Sequence, residues 1–307
     1  MCKPTLNVLC GIQGSGKSTY AKNELKYSHY KVFSSDEYRK KHPDMDNNNI
    51  FSLLYKELKQ SLIEGKDCVL DATNITIKSR RSLLDYIQDV SCSREITIFA
   101  TPYHECISRV NKRNSEGASH FVPLDVVRKY MMSFEIPFYE EGWDKIYIFD
   151  YYSNYIDYDF LLDIMYNFNQ NNEHHKYNLG EHCEKTLEAS SDTLDMWEIY
   201  AYKLHDIGKM FTVSIGKDGQ AHYYNHANVG AYCLLTCNID GLERELEVFE
   251  KLEILFLINY HMKPFDWKSE KSIKKWKEIF GDRKFNKLVR FNKCDRIGSG
   301  TKKEEEK

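Results

Sequence analysis

The sequence lacks several features that would place it in common protein classes. Its nine cysteines include no pair separated by two residues, so we expect reduced, mostly buried thiols. No apolar run approaches the roughly 20 residues needed to cross a bilayer, and no signal-peptide pattern is found. The net charge of −3 gives no global basic field for nucleic acid. We therefore expect a soluble cytoplasmic protein, with no membrane partner, in which any nucleic-acid binding uses local patches.

The length of 307 residues predicts about two domains, each large enough for its own core. Histidine is unevenly distributed, because seven of the eleven histidines lie between His174 and His261. This concentration predicts metal or phosphate chemistry in the second half. We place the boundary near Ser153, which gives domains 1–152 and 153–307.

The first motif is Gly11–Ser18, which reads Gly-Ile-Gln-Gly-Ser-Gly-Lys-Ser and fits the P-loop pattern G-x-x-x-x-G-K-[ST] at every fixed position. A strand-like run precedes it and helix-forming residues follow it. The glycines turn backbone N–H groups toward an anion, and the helix N-terminus adds its positive dipole end. Lys17 would reach the β- and γ-phosphates, and the Ser18 hydroxyl would contact Mg²⁺. We predict a site for Mg²⁺ and ATP, or another NTP, formed by Gly11, Gly14, Ser15, Gly16, Lys17, Ser18 and Thr19.

Four other residues of the first half suit phosphoryl transfer. Asp36 follows the second predicted strand, at the ligand-binding edge of the sheet, and could accept the proton of an attacking hydroxyl. Arg39 could hold an acceptor phosphate, the competing interpretation being a helix-capping Asp beside a solvated Arg. Asp71 ends an apolar strand, where a carboxylate could bind Mg²⁺ directly or through water. Arg113 begins a polar stretch, 113–117, that we interpret as a mobile lid whose arginine neutralises charge on the transferred group.

Strands and helices alternate through the first half, which predicts an α/β P-loop NTPase domain with a mostly parallel sheet. Lys78, Arg80 and Arg81 follow Asp71 on a predicted helix. They form either a solvated face or the wall of an acceptor groove, and the sequence alone does not decide between the two.

Together these motifs resemble the 5′-hydroxyl polynucleotide kinases of the phage type, over most of residues 5–150. The likeness is carried by Gly-x-x-Gly-Ser-Gly-Lys-Ser-Thr, Ser-Asp-Glu-Tyr-Arg, Asp-x-Thr-Asn, Arg-Asn-Ser and Val-Pro-Leu-Asp-Val-Val-Arg. It implies three roles: Asp36 as general base, Arg39 as ligand of the acceptor's phosphate and Arg113 as lid arginine. That family has a second lid arginine four residues after the first, where this chain has Gly117. Arg109 or Lys112 could substitute, or the phosphate contacts are fewer.

Five clusters of histidine or acid recur along the second half: His174–His182, Leu204–Lys209, Asn225-His226, Asn259-Tyr260-His261 and Asn292–Arg296. Adjacent His205 and Asp206 at a helix end can present imidazole and carboxylate to one metal. We expect Gly208 to break that helix, so that Lys209 turns back toward the same site. Imidazole with carboxylate and no cysteine suits Zn, Mn, Fe, Co or Ni better than a structural zinc site. A single cluster could be a histidine that only makes hydrogen bonds within a helix. Five such clusters along the chain are not explained in this way.

The order His…His-Asp…His…His…Asp resembles the HD superfamily of metal-dependent phosphohydrolases, from about His174 to Ile297. The resemblance implies an all-α domain with one or two divalent metals that lower the pKa of a bound water. It assigns His182, His205, Asp206 and Asp295 to one metal, and His226, His261 and a bridging Asp206 to a second. Lys209 would then steady the substrate phosphate.

A basic and aromatic region lies near the end of the chain. Residues 263–296 carry twelve Lys and Arg against five Asp and Glu, with Trp267, Trp276 and Phe280 interleaved. Such a mixture suits a nucleic-acid strand, with phosphates on cations and bases on rings. A solvated amphipathic helix explains the same composition equally well.

The two resemblances together predict a bifunctional enzyme that heals RNA or DNA ends, most plausibly of broken RNA. Polynucleotide kinases fused to an HD domain are a recognised family type. The kinase would phosphorylate a 5′-hydroxyl, and the HD part would remove a 2′- or 3′-phosphate and could open a 2′,3′-cyclic phosphate. A separate ligase, a possible partner, needs both ends corrected.

Two alternatives remain open from the sequence. One is a small-molecule or nucleoside kinase fused to a nucleotide phosphohydrolase, which would have a closed acceptor pocket. The other is a nucleotide-responsive regulatory protein whose HD part only senses a ligand. A complete ligand set argues against the second alternative, because a sensor need not retain every metal-binding residue.

Overall fold

The computed structural model describes residues 3–23, 29–117, 121–150, 154–171, 176–191, 193–217, 219–242 and 244–300. The chain divides into two compact units. The first unit comprises Met1–Tyr130 and Pro137–Tyr152, and the second comprises Met131–Ile136 and Ser153–Lys307. Ser153, at the expected boundary, lies outside the described residues. Over the described ranges, no helix is both long enough and apolar enough to cross a membrane.

The first unit alternates strands with helices. Its strands are β1 (Thr5–Cys10), β2 (Lys31–Ser34), β3 (Cys68–Asp71), β4 (Ser93–Phe99) and β5 (Lys145–Phe149). Its helices are α1 (Lys17–Asn23), α2 (Ser35–Lys41), α3 (Asn47–Ile63), α4 (Ile77–Tyr86), α5 (Tyr103–Ser115) and α6 (Leu124–Met132), and a 3-10 turn spans Tyr139–Glu141. The five strands pair in parallel in the order β2-β3-β1-β4-β5. The predicted P-loop-type α/β fold with a parallel sheet is therefore confirmed.

The strand order places β1 at the centre of this sheet. The chain leaves β1 toward β3 and β2 on one side and later reaches β4 and β5 on the other. Such a reversal opens a crevice at the carboxyl end of the central strand, where open α/β sheets bind ligands. Leu9 of β1 packs with Ala21, Val69 and Phe99 in a buried core cluster directly below that end. The fold thus presents Gly11–Ser18 at the crevice.

The second unit is mainly helical. Its helices are α7 (Tyr158–Tyr166), α8 (Leu179–Glu188), α9 (Met196–Leu204), α10 (Lys209–Thr212), α11 (His226–Leu235), α12 (Val248–Tyr260) and α13 (Glu270–Gly298), with a 3-10 turn at Lys263–Asp266. Four three-residue strands also form: β6 (Tyr155–Asp157), β7 (Val213–Ile215), β8 (Ala221–Tyr223) and β9 (Asn238–Asp240). β6 pairs with β9 in parallel and β7 with β8 antiparallel. The expectation of an all-α domain was therefore too simple, because loops between its helices pair as short strands.

Two features of α12 and α13 shape this unit. Every residue of α12 from Leu252 to Tyr260 is buried, so its C-terminal end delivers His261 to the interior. The backbone of α13 is non-helical at Gly281, where φ is 71° and ψ is 160°. This break separates an exposed first half of α13 from a second half that carries Asp295.

The segment Met131–Ile136 is anchored within the second unit although β5 follows it in the sequence. Phe134 and Ile136 are completely buried. The Asn259 side chain accepts the Ile136 N–H at 2.7 Å and donates to the Phe134 carbonyl at 3.1 Å. The Tyr260 hydroxyl donates to the Ile136 carbonyl at 2.8 Å. These bonds fix the end of α12, next to His261.

Candidate phosphate-binding loop and metal centre

The predicted P-loop connects β1 to α1 and folds around Lys17. The side chain of Lys17 is only 7% exposed. Its Nζ donates to the carbonyls of Gly11 at 2.7 Å and Ile12 at 2.8 Å, and to the Ser15 hydroxyl at 3.2 Å. Burial lowers the pKa of Lys17, and the charge of Asp71 offsets part of that shift. The loop therefore holds an ammonium group in its concavity, as phosphate binding requires.

Glycine is required in the loop for two different reasons. Gly14 and Gly16 have φ angles of 81° and 99°, a region that residues with a side chain rarely adopt. A Cβ on Gly14 would also lie 2.4 Å from the backbone oxygen of Cys106 on α5.

A side-chain hydrogen bond also holds the loop in place. The Ser15 carbonyl accepts it from Thr101 Oγ1 at 2.8 Å, which connects the loop to the segment after β4.

Asp71 and Ser18 adjoin Lys17, as the predicted Mg²⁺ site requires. Burial raises the pKa of Asp71, while a hydrogen bond with Ser18 and the charge of Lys17 act in the opposite direction. The charge of Asp36 acts on both Lys17 and Asp71, so it lies within electrostatic range of the loop. Ser18 and Thr19 are exposed at the start of α1.

Asp36 and Arg39 form an exposed pair on α2. Arg39 Nη1 lies 2.8 Å from Asp36 Oδ1, and the two side chains are 37% and 63% exposed. Arg39 also donates to Asn47 Oδ1 at 3.0 Å, and its guanidinium lies 5.8 Å from the centroid of the Phe51 ring. The N-cap of α2 is Ser34, so Asp36 is not the capping residue that the competing interpretation required. Asp36 instead faces solvent beside a fixed arginine.

The predicted lid is partly helical. Arg113 lies in the last turn of α5, which continues to Ser115, and is exposed. The stretch 113–117 therefore begins within α5 and leaves it after Ser115; its role as a lid stays a prediction. Arg109, one turn earlier on α5, donates to the Gly14 carbonyl at 3.2 Å and so lies against the P-loop. Gly117 has no atom within 4 Å of the position that a Cβ would take.

Arg80 belongs to neither of the surfaces considered for it. It is completely buried and donates to Glu141 Oε2 at 2.7 Å through Nε and to Oε1 at 2.6 Å through Nη2. Its Nη1 also donates to the Asn74 carbonyl at 3.1 Å. Burial of a bidentate pair between α4 and the segment before β5 makes Arg80 a structural residue.

The six predicted metal ligands lie together in the second unit, and all are buried: His182, His205, Asp206, His226, His261 and Asp295. They form two groups of three that could each hold an ion: His182, His205 and Asp295, and Asp206, His226 and His261. Within each group the candidate ligand atoms lie within 4.8 Å of one another. His174 and His175, of the first histidine cluster, lie outside the described residues.

Three of the histidines are oriented by the chain just before them: α9 for His205, β8 for His226 and α12 for His261. Nδ1 of His205, His226 and His261 lies 2.8, 2.8 and 2.7 Å from the carbonyl three residues earlier. A carbonyl only accepts, so each Nδ1 must carry a proton, and in the neutral ring Nε2 then keeps the lone pair that a metal needs. This arrangement is usual for metal-binding histidines, because it fixes the tautomer and the ring direction.

Asp206 lies between the two groups. Its Oδ2 is 3.2 Å from His182 Nε2 and 3.5 Å from His205 Nε2. Its Oδ1 is 3.1 Å from His226 Nε2 and 3.5 Å from His261 Nε2. Ligands about 2.0–2.1 Å from one ion are about 3.0–3.4 Å apart, so these spacings fit a metal between each oxygen and its histidine pair.

Asp295 completes the first group. Its Oδ1 lies 3.1 Å from His182 Nε2 and 3.5 Å from His205 Nε2, which repeats the spacing made by Asp206 Oδ2. The donor set therefore fits one or two divalent ions, with Asp206 shared between them. Carboxylate and imidazole ligands suit first-row transition metals.

Lys209 is buried beside this cluster. Its Nζ lies 2.7 Å from Asp206 Oδ2, donates to Gln170 Oε1 at 2.8 Å and lies 5.6 Å from the centroid of the Tyr223 ring. Burial alone would raise the pKa of Asp206, but the charges of Lys209 and His205 hold it well below the usual range. Gln170 and Tyr223 are site residues that no sequence motif indicated, since Gln170 falls in a stretch that resembles a polar turn.

Gly208 serves a purpose different from the one expected. Its φ of −64° and ψ of −17° are helical, and α9 already ends at Leu204. A Cβ on Gly208 would lie 2.0 Å from the backbone oxygen of His226 and 2.6 Å from the backbone nitrogen of Gly230. The glycine therefore allows the chain after Asp206 to approach α11, which brings His226 to the cluster.

Replacing Gly208 with alanine should displace α11 and lower metal binding. The overpacked backbone should also destabilise the second unit by about 1–3 kcal/mol. Urea unfolding and metal content per chain measure the two effects. Gly219→Ala is a suitable control for the effect of a steric clash. Its φ of 78° strains an alanine, but a Cβ there meets nothing within 4 Å, so it should destabilise the unit without displacing α11. A Gly208→Ala protein with wild-type metal content would contradict this role.

Residues 6–137 match the family model of an AAA domain, a range that contains the P-loop, Asp36, Asp71 and Arg113. No curated protein matches the chain. A chain of the Pnkp1/Rnl/Hen1 RNA repair complex is 22% identical with a TM-score of 0.39, over 42% of this chain and 43% of that one. This chain thus spans less than half of that relative's length.

Two other solved structures cover about half of this chain. A fungal RNA kinase is 13% identical with a TM-score of 0.35, over 49% of this chain and 76% of that one. A gluconokinase from Sinorhizobium meliloti 1021 is 14% identical with a TM-score of 0.34, over 48% of this chain and 83% of that one.

Proposed function

We propose that this chain heals the ends of broken nucleic acid, with RNA as its substrate. Its first unit would transfer the γ-phosphate of ATP to a 5′-hydroxyl. Its second unit would remove a 2′- or 3′-phosphate and open a 2′,3′-cyclic phosphate. The two lesions arise together when a nuclease leaves a 5′-hydroxyl and a cyclic phosphate, and a ligase requires both to be corrected.

In the kinase reaction, the P-loop amides and Lys17 bind the phosphates of the donor, and Ser18 and Asp71 hold Mg²⁺. Asp36 accepts the proton of the attacking hydroxyl. Arg39, already paired with Asp36, orients that carboxylate and offers its remaining N–H groups to a phosphate of the acceptor. Arg109 and Arg113 on α5 supply positive charge for the transferred group.

The exposure of the Asp36–Arg39 pair favours a polymer end over a small acceptor. A kinase for a small molecule would enclose its acceptor, since most of a small ligand's surface is buried in its pocket. Here the two side chains are 63% and 37% exposed, so the end of a long strand can reach them.

In the phosphohydrolase reaction, the second unit binds the divalent ions through the six clustered ligands. When bound, these ions supply an activated water and positive charge for the phosphoryl oxygens. Asp206 directs one oxygen to each histidine pair, so it would serve as a ligand shared by both groups. Lys209 Nζ, held 2.7 Å from Asp206 Oδ2, is placed to bind a phosphate oxygen of the substrate. Burial of the cluster strengthens these electrostatic interactions.

The observation that carries this proposal is the position of Asp206, with one carboxylate oxygen against each of two histidine pairs. A protein that only sensed a nucleotide would have no need to keep six buried ligands and an adjacent lysine. A ligand set that could hold two metal ions therefore accompanies the P-loop on one chain, which supports the combination that end healing requires.

The test uses an RNA oligonucleotide with a 5′-hydroxyl and a 3′-phosphate, incubated with the full chain, ATP, Mg²⁺ and Mn²⁺. We expect both ends to be converted, and a DNA oligonucleotide of the same sequence to be the poorer substrate. End groups are resolved by electrophoresis and mass spectrometry. Untouched ends together with hydrolysis of free nucleotides would refute the proposal and favour a small-molecule kinase joined to a nucleotide phosphohydrolase.

A further inference from the structure

The basic region 263–296 divides into two parts with different surroundings. In its second part Arg283, Lys284, Lys287 and Arg290 pair with acidic residues inside the unit. Lys284 binds buried Glu253, while Lys287 and Arg290 lie 3.1 and 2.5 Å from Glu198. These pairs hold α13 against α12 and α9. The expectation that the whole region could contact nucleic acid was therefore too broad.

The first part, Lys263–Lys277, is here called the lysine segment. Lys268, Lys271, Lys274 and Lys275 are exposed, and within the described ranges none lies within 4 Å of a carboxylate. Lys277, also exposed, lies 2.9 Å from Asp282. Four cations without acidic partners in eight residues repel one another, so a polyanion that neutralises them would gain binding free energy.

One aromatic side chain lies among these cations. Trp276 is half-buried and stacks on Phe280 with ring centroids 5.0 Å apart. The Nζ atoms of Lys263 and Lys275 lie 5.1 and 5.6 Å from the centroid of its ring. Trp267 packs instead on Phe285, at 4.3 Å, and Phe280 is completely buried. Phe265, also in the segment, is exposed. The surface is therefore mainly electrostatic, and Trp276 is the ring that contacts its cations.

The position of the lysine segment connects it to the metal centre. It begins two residues after His261, and the 3-10 turn Lys263–Asp266 leads directly from that ligand to the start of α13. A strand whose phosphorylated end reached the metal centre would find its next phosphates beside this segment.

We propose that the lysine segment binds the sugar-phosphate backbone of single-stranded RNA whose 3′ end is the substrate of the metal centre. This inference rests on the proposed function of that centre. Exposed lysines on a helix act as point charges and read no bases, so binding should be independent of sequence and sensitive to salt.

The test measures equilibrium binding of a fluorescent RNA with a 5′-phosphate and a 3′-hydroxyl, which neither proposed reaction alters. The variant Lys271→Gln/Lys274→Gln/Lys275→Gln should bind about 10- to 100-fold more weakly at 0.1 M salt. Its plot of log affinity against log salt should be less steep by about 2, since each lysine accounts for about 0.7.

A control with the same loss of charge is available in Lys56→Gln/Lys176→Gln/Lys217→Gln, since all three lysines are exposed and lie outside the lysine segment. We expect it to bind RNA as the wild type does. Equal loss in both triple variants, or wild-type affinity and salt slope in the lysine-segment variant, would overturn the inference. Tighter binding of the wild type to vesicles of anionic lipid than to RNA would also overturn it.

Hydrolysis of a 3′-mononucleotide separates this inference from the function on which it rests. The lysine-segment variant should hydrolyse it as fast as the wild type, because a mononucleotide has no further phosphates to reach the segment. If the wild type releases no phosphate from any substrate, the proposed function fails. RNA binding by the two triple variants would still decide whether the segment is an RNA surface.

Discussion

Replacing Asp206 with asparagine will abolish release of the 3′-phosphate and leave 5′-phosphorylation intact. Asp206 is the one ligand with an oxygen against each histidine pair, at 3.1–3.5 Å. An asparagine offers one neutral oxygen and turns an NH₂ group toward the other pair. Losing several kcal/mol of charge stabilisation corresponds to a fall in rate of about 10³-fold or more.

The measurement combines end-group assays with metal content per chain and thermal unfolding. Metal content should fall together with phosphatase activity. Asp159→Asn, which removes an exposed carboxylate of α7 in the same unit, should change neither quantity. An Asp206→Asn protein that keeps its metal and its phosphatase activity would show that the cluster is not the hydrolytic site.

The complementary variant, Asp36→Asn, should lose 5′-phosphorylation by about 10²–10⁴-fold, the usual contribution of a general base. Asparagine keeps the shape of the side chain and can still accept a hydrogen bond from Arg39, but it cannot take up the proton of the acceptor hydroxyl. Nucleotide binding should persist, because Lys17 and the loop amides are unchanged. Release of the 3′-phosphate should also persist.

Single-turnover transfer from labelled ATP gives the rate, and nucleotide titration gives the affinity. Glu37→Gln is the matched control, since Glu37 is the next residue of α2 and is likewise exposed. It should transfer phosphate at the wild-type rate. Equal rates for Asp36→Asn and the wild type would remove Asp36 from the mechanism, and equal losses in both variants would indicate a general effect of charge on α2.

The features that the sequence predicted are local ones. The P-loop needs only a strand, its own eight residues and a helix, all contiguous, and the alternation of strands and helices predicted the parallel sheet. The six predicted metal ligands were identified by their motif order, and the structure places all six in one cluster. His205, His226 and His261 are each oriented by a carbonyl three residues earlier, so their placement depends on neighbouring chain.

Features that depend on distant partners escaped prediction. Arg80 is buried because Glu141, 61 residues later, binds it, and no periodicity in the sequence encodes that pairing. Gln170 reaches Lys209 across 39 residues of chain. Gly208 is small because α11 crosses it, not because a helix must end there. Tertiary packing decides all three cases.

The anchoring of Met131–Ile136 in the second unit has a practical consequence for dissecting the protein. Cleavage at residue 153 follows the composition of the chain but does not separate two self-sufficient fragments. A fragment ending there keeps β5, yet its Phe134 and Ile136 lose the burial and hydrogen bonds that Asn259 and Tyr260 provide. The other fragment keeps α12 but lacks residues 131–136, which hydrogen-bond to Asn259 and Tyr260 next to His261. If truncation abolished the proposed phosphatase activity, the loss would therefore reflect the absence of residues 131–136, since all six predicted ligands remain in the fragment.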